Sequence, residues 1–436
     1  MIPFGQLASR ISGQLDTGET LGRLYATDAS EYQEMPAGVV FPANDKDLGE
    51  IIRFARRNQL GLIPRTAGTS LAGQCVGDGL VVDVSRHFDR TLGVDAESRR
   101  VRVQPGVVRN ELNDFLEPHG MIFGPETSTA NRAMMGGMVG NNSCGSNSIV
   151  YGSTRDHLVS LKGFLSDGSE VTFEALTADE FNAKCDGPDS LETKIYRGIR
   201  TMLGDSENRI AITENFPLVS IPRRNTGYAL DLLMDAEVLD QESDKPFNLC
   251  KLIAGSEGTL FFATEIELDC SPLPPEHAAL VCGHFKSVDE ALRANLLALH
   301  YDPSASELID RHILECTKSN HAQQRNRDFV VGDPGAILVV EIRRDCREQT
   351  EAAVRELVAA WQAADHGYAH PILWGDEGNK VWELRRAGQG LMSNVVGDTK
   401  PRENVEDTAV DVSDLPEYIA EFDQLLREKY AIECVY

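Results

Sequence analysis

The stretch from Gly124 to Gly152 has the residue types of a surface that binds a ligand through its main chain. Its sequence is GPETSTANRAMMGGMVGNNSCGSNSIVYG. The glycines permit close approach of the backbone, and the Ser, Thr and Asn side chains offer short neutral hydrogen-bonding groups. Only Glu126 and Arg132 are charged. This composition favours a large, neutral to anionic ligand held by amides and hydroxyls, and a long surface loop is the alternative.

A second candidate is the loop Arg65 to Gln74, with the sequence RTAGTSLAGQ. Backbone amides freed by Gly68 and Gly73 are the groups that hold phosphate oxygens. The loop is not a P-loop, because no Gly-Lys-Ser/Thr follows it, and no predicted strand opens into a GxGxxG helix. Taken alone, it indicates either phosphate binding or an ordinary tight turn.

Length and composition predict a multidomain enzyme of the cytoplasm. The 436 residues exceed what one hydrophobic core usually supports, so two or three domains are expected. Hydrophobic residues make up 42% and charged residues 25%, and no apolar run approaches the roughly 18 residues of a membrane span. The first ten residues lack the basic and apolar regions of a signal peptide.

Charge and cysteine spacing exclude several classes of function. The net charge of -26 opposes binding to nucleic acid, and an anionic substrate would need locally placed arginines. The nine cysteines are scattered and form no CxxC pair, which disfavours a disulfide framework, a zinc ribbon or an iron-sulfur cluster. No metal site is predicted.

The elements before the two candidate segments read as alternating strands and helices. Val39 to Phe41 is a predicted strand, Asn44 caps a helix that we end at Gly61, and the strand Leu62 to Pro64 runs into the Arg65 loop. Further predicted strands or hairpin arms are Leu80 to Val84, Arg100 to Gln104, Leu158 to Leu165 and Glu170 to Phe173.

The proline cluster Cys270 to Pro275 marks the predicted domain boundary, because it cannot continue a sheet. Beyond it, Ala279 to Phe285 and Ala336 to Ile342 are predicted strands that alternate with helices. We expect an antiparallel sheet with helices on one face, and a strand at Ile432 to Val435. The predicted domains are 1–34 (lead-in), 35–271 and 272–436, the last of which looks cut off within its fold.

Four segments in this order resemble the FAD-linked oxidase family, whose FAD domain is of the vanillyl-alcohol-oxidase type. They are PRTAGTSLAGQ, the stretch Gly124 to Gly152, PRRNTGY and GSEGTLFFATE. The resemblance is strongest to the D-lactate and D-2-hydroxyglutarate dehydrogenase branch, in particular to the N-terminal part of large bacterial flavoproteins fused to an iron-sulfur oxidoreductase part. It implies an α+β fold, with a two-subdomain FAD-binding domain and a partial α+β substrate (cap) domain containing an antiparallel sheet.

The resemblance also implies which residues hold FAD. Those around the pyrophosphate are Arg65, Thr66, Ala67, Gly68, Thr69 and Ser70. Those along the ribityl chain and the ring are Pro125, Glu126, Ser128, Met135, Gly136, Gly137, Asn141, Ser143, Gly145, Ser148, Tyr151 and Gly152, and those on the adenine side are Glu257 and Gly258. Methionines near the ring are equally expected as core fillers. Because Thr69 stands where covalent members of the family have histidine, we expect noncovalent FAD.

A 2-hydroxy acid needs a cation for its carboxylate and a base for its hydroxyl proton. The segment VWELRRAGQGLM resembles the family's substrate-binding helix and places Arg385 and Gln389 at the substrate, the alternative being a solvated arginine pair. Arg223 and Arg224 are a second candidate anion site. The family's next lysine has no counterpart at 405–408, which departs from the pattern for D-2-hydroxyglutarate.

The family's base and metal ligands follow a strand like Ile432 to Val435, so we expect the catalytic base beyond Tyr436 and any iron-sulfur cluster in a missing C-terminal part. The expected reaction is hydride transfer from a D-2-hydroxy acid to flavin N5. We expect the electrons to go to an acceptor protein, an iron-sulfur domain or a quinone. Alternatives are sugar or alditol oxidation on the same fold, or a nonredox nucleotide-binding module.

Overall fold

A computed structural model describes residues 2–225, 227–240, 242–398, 400–401, 405 and 408–436, without the side chain of Gln389. The chain divides into two compact units. The first comprises Met1–Gly145, Gly152–Pro217 and Asn225–Leu273, and the second comprises Ser146–Tyr151, Leu218–Arg224 and Pro274–Tyr436. The domain borders drawn from the sequence stay a prediction.

The strands, in chain order, are Gln14–Asp16 (β1), Gly38–Phe41 (β2), Leu62–Arg65 (β3), Leu80–Asp83 (β4), Thr91–Asp95 (β5), Arg100–Val103 (β6), Met121–Ile122 (β7), Leu158–Phe164 (β8), Glu170–Phe173 (β9), Phe262–Asp269 (β10), Ser271–Pro272 (β11), His277–Phe285 (β12), Ala305–Asp310 (β13), Ala336–Arg344 (β14) and Ile372–Trp374 (β15).

The α-helices are Phe4–Ala8 (α1), Glu19–Tyr25 (α2), Asp45–Arg57 (α3), Arg109–Leu116 (α4), Met135–Asn141 (α5), Ser148–Tyr151 (α6), Ala178–Cys185 (α7), Leu191–Gly204 (α8), Ser206–Asn215 (α9), Leu230–Met234 (α10), Cys250–Ile253 (α11), Val288–Ala298 (α12), Arg311–Ser319 (α13), His321–Gln324 (α14), Arg347–Ala363 (α15), Asp376–Ser393 (α16) and Leu415–Leu425 (α17). Short 3-10 turns occupy Glu117–His119, Thr154–His157 and Leu299–Tyr301, and a π-helical turn occupies Leu426–Tyr430.

The sheet that carries the Arg65 loop has the strand order β1-β2-β4-β3, in which β2, β4 and β3 run parallel. Helix α3 connects β2 to β3, and its predicted cap is confirmed, since the Asn44 side chain accepts a hydrogen bond from the Asp47 amide. The predicted end at Gly61 is wrong. The helix ends at Arg57, and the left-handed residue after it is Gln59, at φ 51°.

A five-stranded antiparallel sheet, in the order β5-β6-β10-β8-β9, forms another part of the first unit's scaffold. Strand β10 buries alternate residues, beginning with Phe262 and Thr264, so one face packs on the core. The hairpin of β8 and β9 is confirmed. The proline cluster does not end all pairing, because Ser271 and Pro272 pair with β7 at the edge of a two-stranded ladder, where a missing amide is tolerated.

The second unit contains the expected antiparallel sheet, with the strand order β13-β14-β12-β15. The expectation of helices on one face is wrong. One face packs with α12 and α15 around Trp361, and the other packs with α13 and α16 around Leu314 and Leu384. Because successive side chains of a strand point to opposite faces, β12 and β14 are apolar on both.

The predicted strand at Ile432 to Val435 is also wrong, because the structure assigns no strand to residues 431–436. Ala431 follows the π-helical turn in a left-handed conformation, at φ 52°. Ile432 remains 51% exposed. An apolar run of this length forms a strand only where a neighbouring strand pairs with it.

Candidate functional site

The Arg65 loop begins at the carboxyl end of β3 and turns through two glycines in left-handed conformations, Gly68 at φ 66° and Gly73 at φ 78°. The guanidinium of Arg65 folds back instead of reaching outward. Its Nη1 donates to the carbonyl of Thr27 at 2.8 Å, and it lies 5.0 Å from the ring centre of Tyr25. Arg65 therefore braces the loop from behind and leaves its main chain open.

The main-chain amides of this loop are available to a ligand. Five consecutive N–H groups, those of residues 66–70, donate to no acceptor in the described part of the chain. Residues 66–70 are partly exposed, and a row of open amides at such a loop is the arrangement that binds phosphate oxygens. The loop therefore fits the pyrophosphate of a dinucleotide cofactor.

Helix α5 presents its backbone on the side of this loop. Gly137 and Asn141 lie one turn apart and are exposed, and a Cβ added at Gly137 would lie 2.9 Å from the Thr66 Oγ1. The Gly136 amide donates to the carbonyl of Pro105 at 2.8 Å. Met135 is fully buried in the hydrophobic core, so only its main chain can belong to a binding surface.

The turn at Gly255 to Gly258 meets both segments. The amide of Glu257 donates to the carbonyl of Gly140 at 2.8 Å, and the Glu257 Oε1 accepts from the Gln74 Nε2 at 3.2 Å. A Cβ at Gly258 would lie 2.9 Å from the Pro64 Cγ. The first unit thus brings together three segments that are far apart in the sequence.

The lead-in to α5 is held by a residue that the sequence did not single out. Arg109 donates from Nε to the carbonyl of Pro125 and from Nη2 to the carbonyl of Phe123, both at 3.1 Å. Glu126 lies against Gly145, whose added Cβ would come within 2.1 Å of the Glu126 carbonyl oxygen. Ser128 is exposed.

The stretch Gly124 to Gly152, called the wall below, is tightly constrained at its C-terminal end. Gly152 has φ 63°, and an added Cβ there would lie 2.5 Å from the Asp156 carboxylate. Ser143 donates from Oγ to the Asn141 Oδ1 at 3.1 Å. These contacts leave little room for larger residues.

A buried polar cluster behind α5 was also missed. Asn142 ends the helix at φ 53°, its Oδ1 accepts from the Arg155 amide at 2.8 Å, and its Nδ2 donates to the Asn225 Oδ1 at 2.6 Å. The guanidinium of Arg155 donates to the carbonyl of Ala254 at 2.6 Å. The cluster ties α5 to the turn at Gly255. Its sequence signal was the placement of Asn142 and Asn225 in two of the four family-like segments.

Two residues expected at the flavin, Ser148 and Tyr151, belong to the second unit. Burial raises the pKa of the Tyr151 phenol, which lies in the electrostatic field of Arg343 and Glu341. Arg223 and Arg224 also belong to the second unit. The Gln389 side chain lies outside the described residues.

Arg385 lies on α16 and forms an ion pair through Nη2 with the Oε2 of Glu307 on β13. Among the described residues, its Nε and Nη1 have no acceptor. The next residue, Arg386, is exposed. Arg385 therefore keeps donors free for an anion, whereas Arg386 faces solvent.

A cavity of about 360 Å³ lies in the second unit near the start of α16. Its walls include Trp374 and Trp382, and its polar lining includes Glu341 and Arg343. The buried Glu341 accepts from the Arg343 Nε at 2.6 Å and from the Trp382 Nε1 at 3.3 Å. Both carboxylate oxygens of Glu341 are therefore engaged by protein donors, and the pair of Glu341 and Arg343 holds the cavity wall in place.

Within the described part of the chain, no group of three or more His, Cys, Asp or Glu side chains is arranged to hold a metal ion. Nor does any helix described there combine the length and apolarity needed to cross a bilayer.

Comparison with known families shows that the chain is a flavoprotein of the FAD-linked oxidase type. Residues 36–174 match the model described as an FAD binding domain, and residues 274–436 match the C-terminal domain of FAD linked oxidases. The chain belongs to the FAD-linked oxidase family, as the four sequence segments predicted.

Curated relatives narrow the resemblance to one branch. The chain is 33% identical over 429 residues to D-2-hydroxyglutarate dehydrogenase of Pseudomonas putida, which covers 96% of this chain and 41% of that protein. It is 32% identical to the enzyme of the same name from Escherichia coli, over 92% of this chain and 40% of that protein. It is 22% identical to the mitochondrial D-lactate dehydrogenase (cytochrome) of Kluyveromyces lactis, over 89% and 57%. The chain therefore spans about two fifths of the length of the two D-2-hydroxyglutarate dehydrogenases.

Among solved structures, alkyldihydroxyacetonephosphate synthase superposes with a TM-score of 0.56 at 15% sequence identity. The superposition covers 87% of this chain and 61% of that one. At this identity the similarity supports the fold alone, and it agrees with the predicted α+β architecture of an FAD domain and a cap domain.

Proposed function

We propose that the protein is an FAD-dependent dehydrogenase that oxidises a D-2-hydroxy acid. The observation that carries the proposal is the identity of 30 to 33% with four D-2-hydroxyglutarate dehydrogenases, over at least 92% of this chain. D-2-hydroxyglutarate is accordingly the first substrate to test, even though the family's lysine has no counterpart at 405–408. D-lactate is the second.

In this proposal the open amides of residues 66–70 hold the FAD pyrophosphate, and the exposed backbone of α5 lies along the rest of the cofactor. FAD supplies a hydride acceptor at N5, so the products are a 2-oxo acid and reduced flavin. The attachment is noncovalent. No histidine or cysteine occurs in 64–70, and burial raises the pKa of the nearby Cys75 thiol to about 11, which keeps it protonated at neutral pH.

Arg385 binds the substrate carboxylate with the N–H groups that have no acceptor among the described residues. A charge-assisted bond of this kind fixes the orientation of the hydroxy acid. An iron-sulfur or quinone-type acceptor and a cytoplasmic location complete the proposal.

The experiment is anaerobic titration of the full-length, FAD-loaded protein with D- and L-2-hydroxy acids, followed by bleaching of the visible flavin band. Arg385→Ala is compared with Arg386→Ala as the matched control on the same helix. Because a hydrogen bond to a charged group contributes about 1.5 to 3 kcal/mol, we expect the Kd of the D-acid to rise about 10- to 100-fold in the first variant only. An unchanged Kd in Arg385→Ala would contradict this role.

Two alternatives give different results in the same titration. A sugar or alditol oxidase would be bleached by polyols, and Arg385→Ala would leave that bleaching unchanged. A nonredox nucleotide-binding module would be colourless after purification and would not take up FAD. Either result would exclude oxidation of a D-2-hydroxy acid.

A further inference from the structure

Arg385 is held on one side by a carboxylate to which neither the sequence nor the family comparison assigns a part. Glu307 lies on β13 opposite Val339 of β14, and residues that pair directly across a sheet share a face. Val339 belongs to the apolar cluster that includes Leu384 of α16. Glu307 therefore faces the helix that carries Arg385, and its side chain is only 17% exposed.

The pair is one-sided. The carboxylate of Glu307 engages Nη2 of Arg385 and accepts no other hydrogen bond in the described part of the chain, while the Nε and Nη1 of Arg385 stay open. By contrast, Arg343 donates from both Nε and Nη2 to the carboxylate of Glu341, and its Nη1 donates to the carbonyl of Pro275 at 3.4 Å. On the same face of the sheet, then, one guanidinium is held at all three nitrogens and the other at one.

We propose that Glu307 is the positioning residue that aims the guanidinium of Arg385 at the substrate carboxylate. This inference rests on the proposed function. An arginine side chain loses much rotational freedom when it binds an anion, and a fixed corner reduces that loss before the substrate arrives. The planar fork then turns its remaining donors in one direction.

The partial shielding of the pair strengthens the effect. The Arg385 side chain is 37% exposed, so its guanidinium lies at the boundary between protein and solvent. Without the carboxylate of Glu307 it would swing toward water, as long charged side chains do. The substrate would then bind in a range of orientations, and a misplacement of about 1 Å slows a reaction by as much as about 100-fold.

The test is a double-mutant cycle on flavin reduction in the full-length, FAD-loaded protein, with D-2-hydroxyglutarate and D-lactate as substrates. The variants are Glu307→Gln, Arg385→Ala and the two combined. Glu383→Gln is the matched control, since Glu383 is two residues from Arg385 on α16 but accepts from the Asn326 Nδ2 at 3.2 Å. Glu307→Asp keeps the charge and serves as the conservative variant.

We expect Glu307→Gln to slow flavin reduction at saturating substrate about 10-fold or more, with unchanged flavin content, and Glu307→Asp to recover part of the rate. Glu383→Gln should reduce at the wild-type rate. Because Glu307 acts only through Arg385, Glu307→Gln should change the rate less than about twofold in the Arg385→Ala background.

Three outcomes would overturn the inference. These are a wild-type rate in Glu307→Gln, an equal effect of that substitution in both backgrounds, or, if Glu307→Gln does not fold, an equal effect of Glu307→Asp in the wild-type and Arg385→Ala backgrounds. If no D-2-hydroxy acid reduces the wild-type flavin, the proposed function fails and this inference falls with it. Reduction of the wild type together with an unaffected Glu307→Gln would remove the inference alone.

Discussion

The two units prepare for their ligands by opposite means. In the first unit the candidate binding site consists of main chain, with open amides at residues 66–70 and glycines where no side chain fits. In the second unit the candidate groups are side chains, of which the pair of Arg385 and Glu307 is the clearest. A backbone site is broken by adding atoms, whereas a side-chain site is broken by removing a charge.

The largest expected effect comes from adding one carbon to the backbone wall. In Gly145→Ala the new Cβ would lie 2.1 Å from the Glu126 carbonyl oxygen, so the main chain of the wall must shift. We expect the purified protein to lose most of its flavin, measured as the ratio of flavin to protein absorbance. Gly198→Ala is the control, because a Cβ there meets nothing within 4 Å in the middle of α8, and it should keep its flavin. Full flavin content in Gly145→Ala would show that the wall tolerates side chains.

A smaller effect is expected from the cluster behind the wall. Asn142→Ala removes the hydrogen bonds to Arg155 and Asn225 and leaves a non-glycine residue at φ 53°. We expect the free energy of unfolding of the first unit to fall by about 3 kcal/mol, measured by urea-induced flavin release. Asn142→Gly loses the same bonds without the backbone strain and should be about 1 kcal/mol more stable than Asn142→Ala. Equal stability of the two variants would show that backbone strain at residue 142 does not contribute to the loss of stability.

The smallest effect concerns pH and the second unit. His284 is fully buried, and its Nε2 accepts from the Val331 amide at 3.1 Å, so the ring is neutral and carries its proton on Nδ1. Burial lowers the pKa of His284 below its ordinary value of 6.5. As the pH falls below 6.5, His284 takes up a proton in the unfolded chain but stays neutral in the folded chain. Stability therefore decreases by at most about 1.4 kcal/mol per pH unit.

Tryptophan fluorescence can follow this effect, because all three tryptophans, Trp361, Trp374 and Trp382, lie in the second unit. The urea concentration at the unfolding midpoint of the wild type should decrease as the pH is lowered from about 7.5 to about 5.5. The midpoint of His284→Gln should decrease less over the same range. An identical pH dependence in both proteins would mean that other groups cause it.

The same contrast explains what the sequence could predict. Glycines and asparagines in left-handed turns leave a recognisable composition, so the Arg65 loop, the stretch Gly124 to Gly152 and the turn at Gly258 could be predicted as a candidate site without a structure. The helix cap at Asn44 was predictable because a short polar side chain before an apolar helical period accepts from a first-turn amide. A site built from main chain requires particular residue types, chiefly glycine and asparagine, and these can be recognised in the sequence.

The second unit was harder to predict because its signals are long-range. Strand β13 was missed, since the charge of Glu307 interrupts its apolar pattern, and the partner of Arg385 was missed with it. Strands β12 and β14 are apolar in nearly every position, which indicates burial on both faces, yet we expected helices on one. The spacing of apolar residues within one helix or strand does not reveal which carboxylate pairs with a distant arginine. Nor does it reveal a second layer of helices.

In the proposed function, the stretch Gly124 to Gly152 and the Arg65 loop hold a flavin that a D-2-hydroxy acid reduces. The most direct test is anaerobic addition of D-2-hydroxyglutarate to the purified full-length protein, with the L-isomer as the control. We expect a yellow protein whose visible band is bleached by the D-isomer and not by the L-isomer, and whose flavin is released unmodified on denaturation. A colourless protein that cannot take up FAD, or a flavin that neither D-2-hydroxyglutarate nor D-lactate bleaches, would contradict the proposed function.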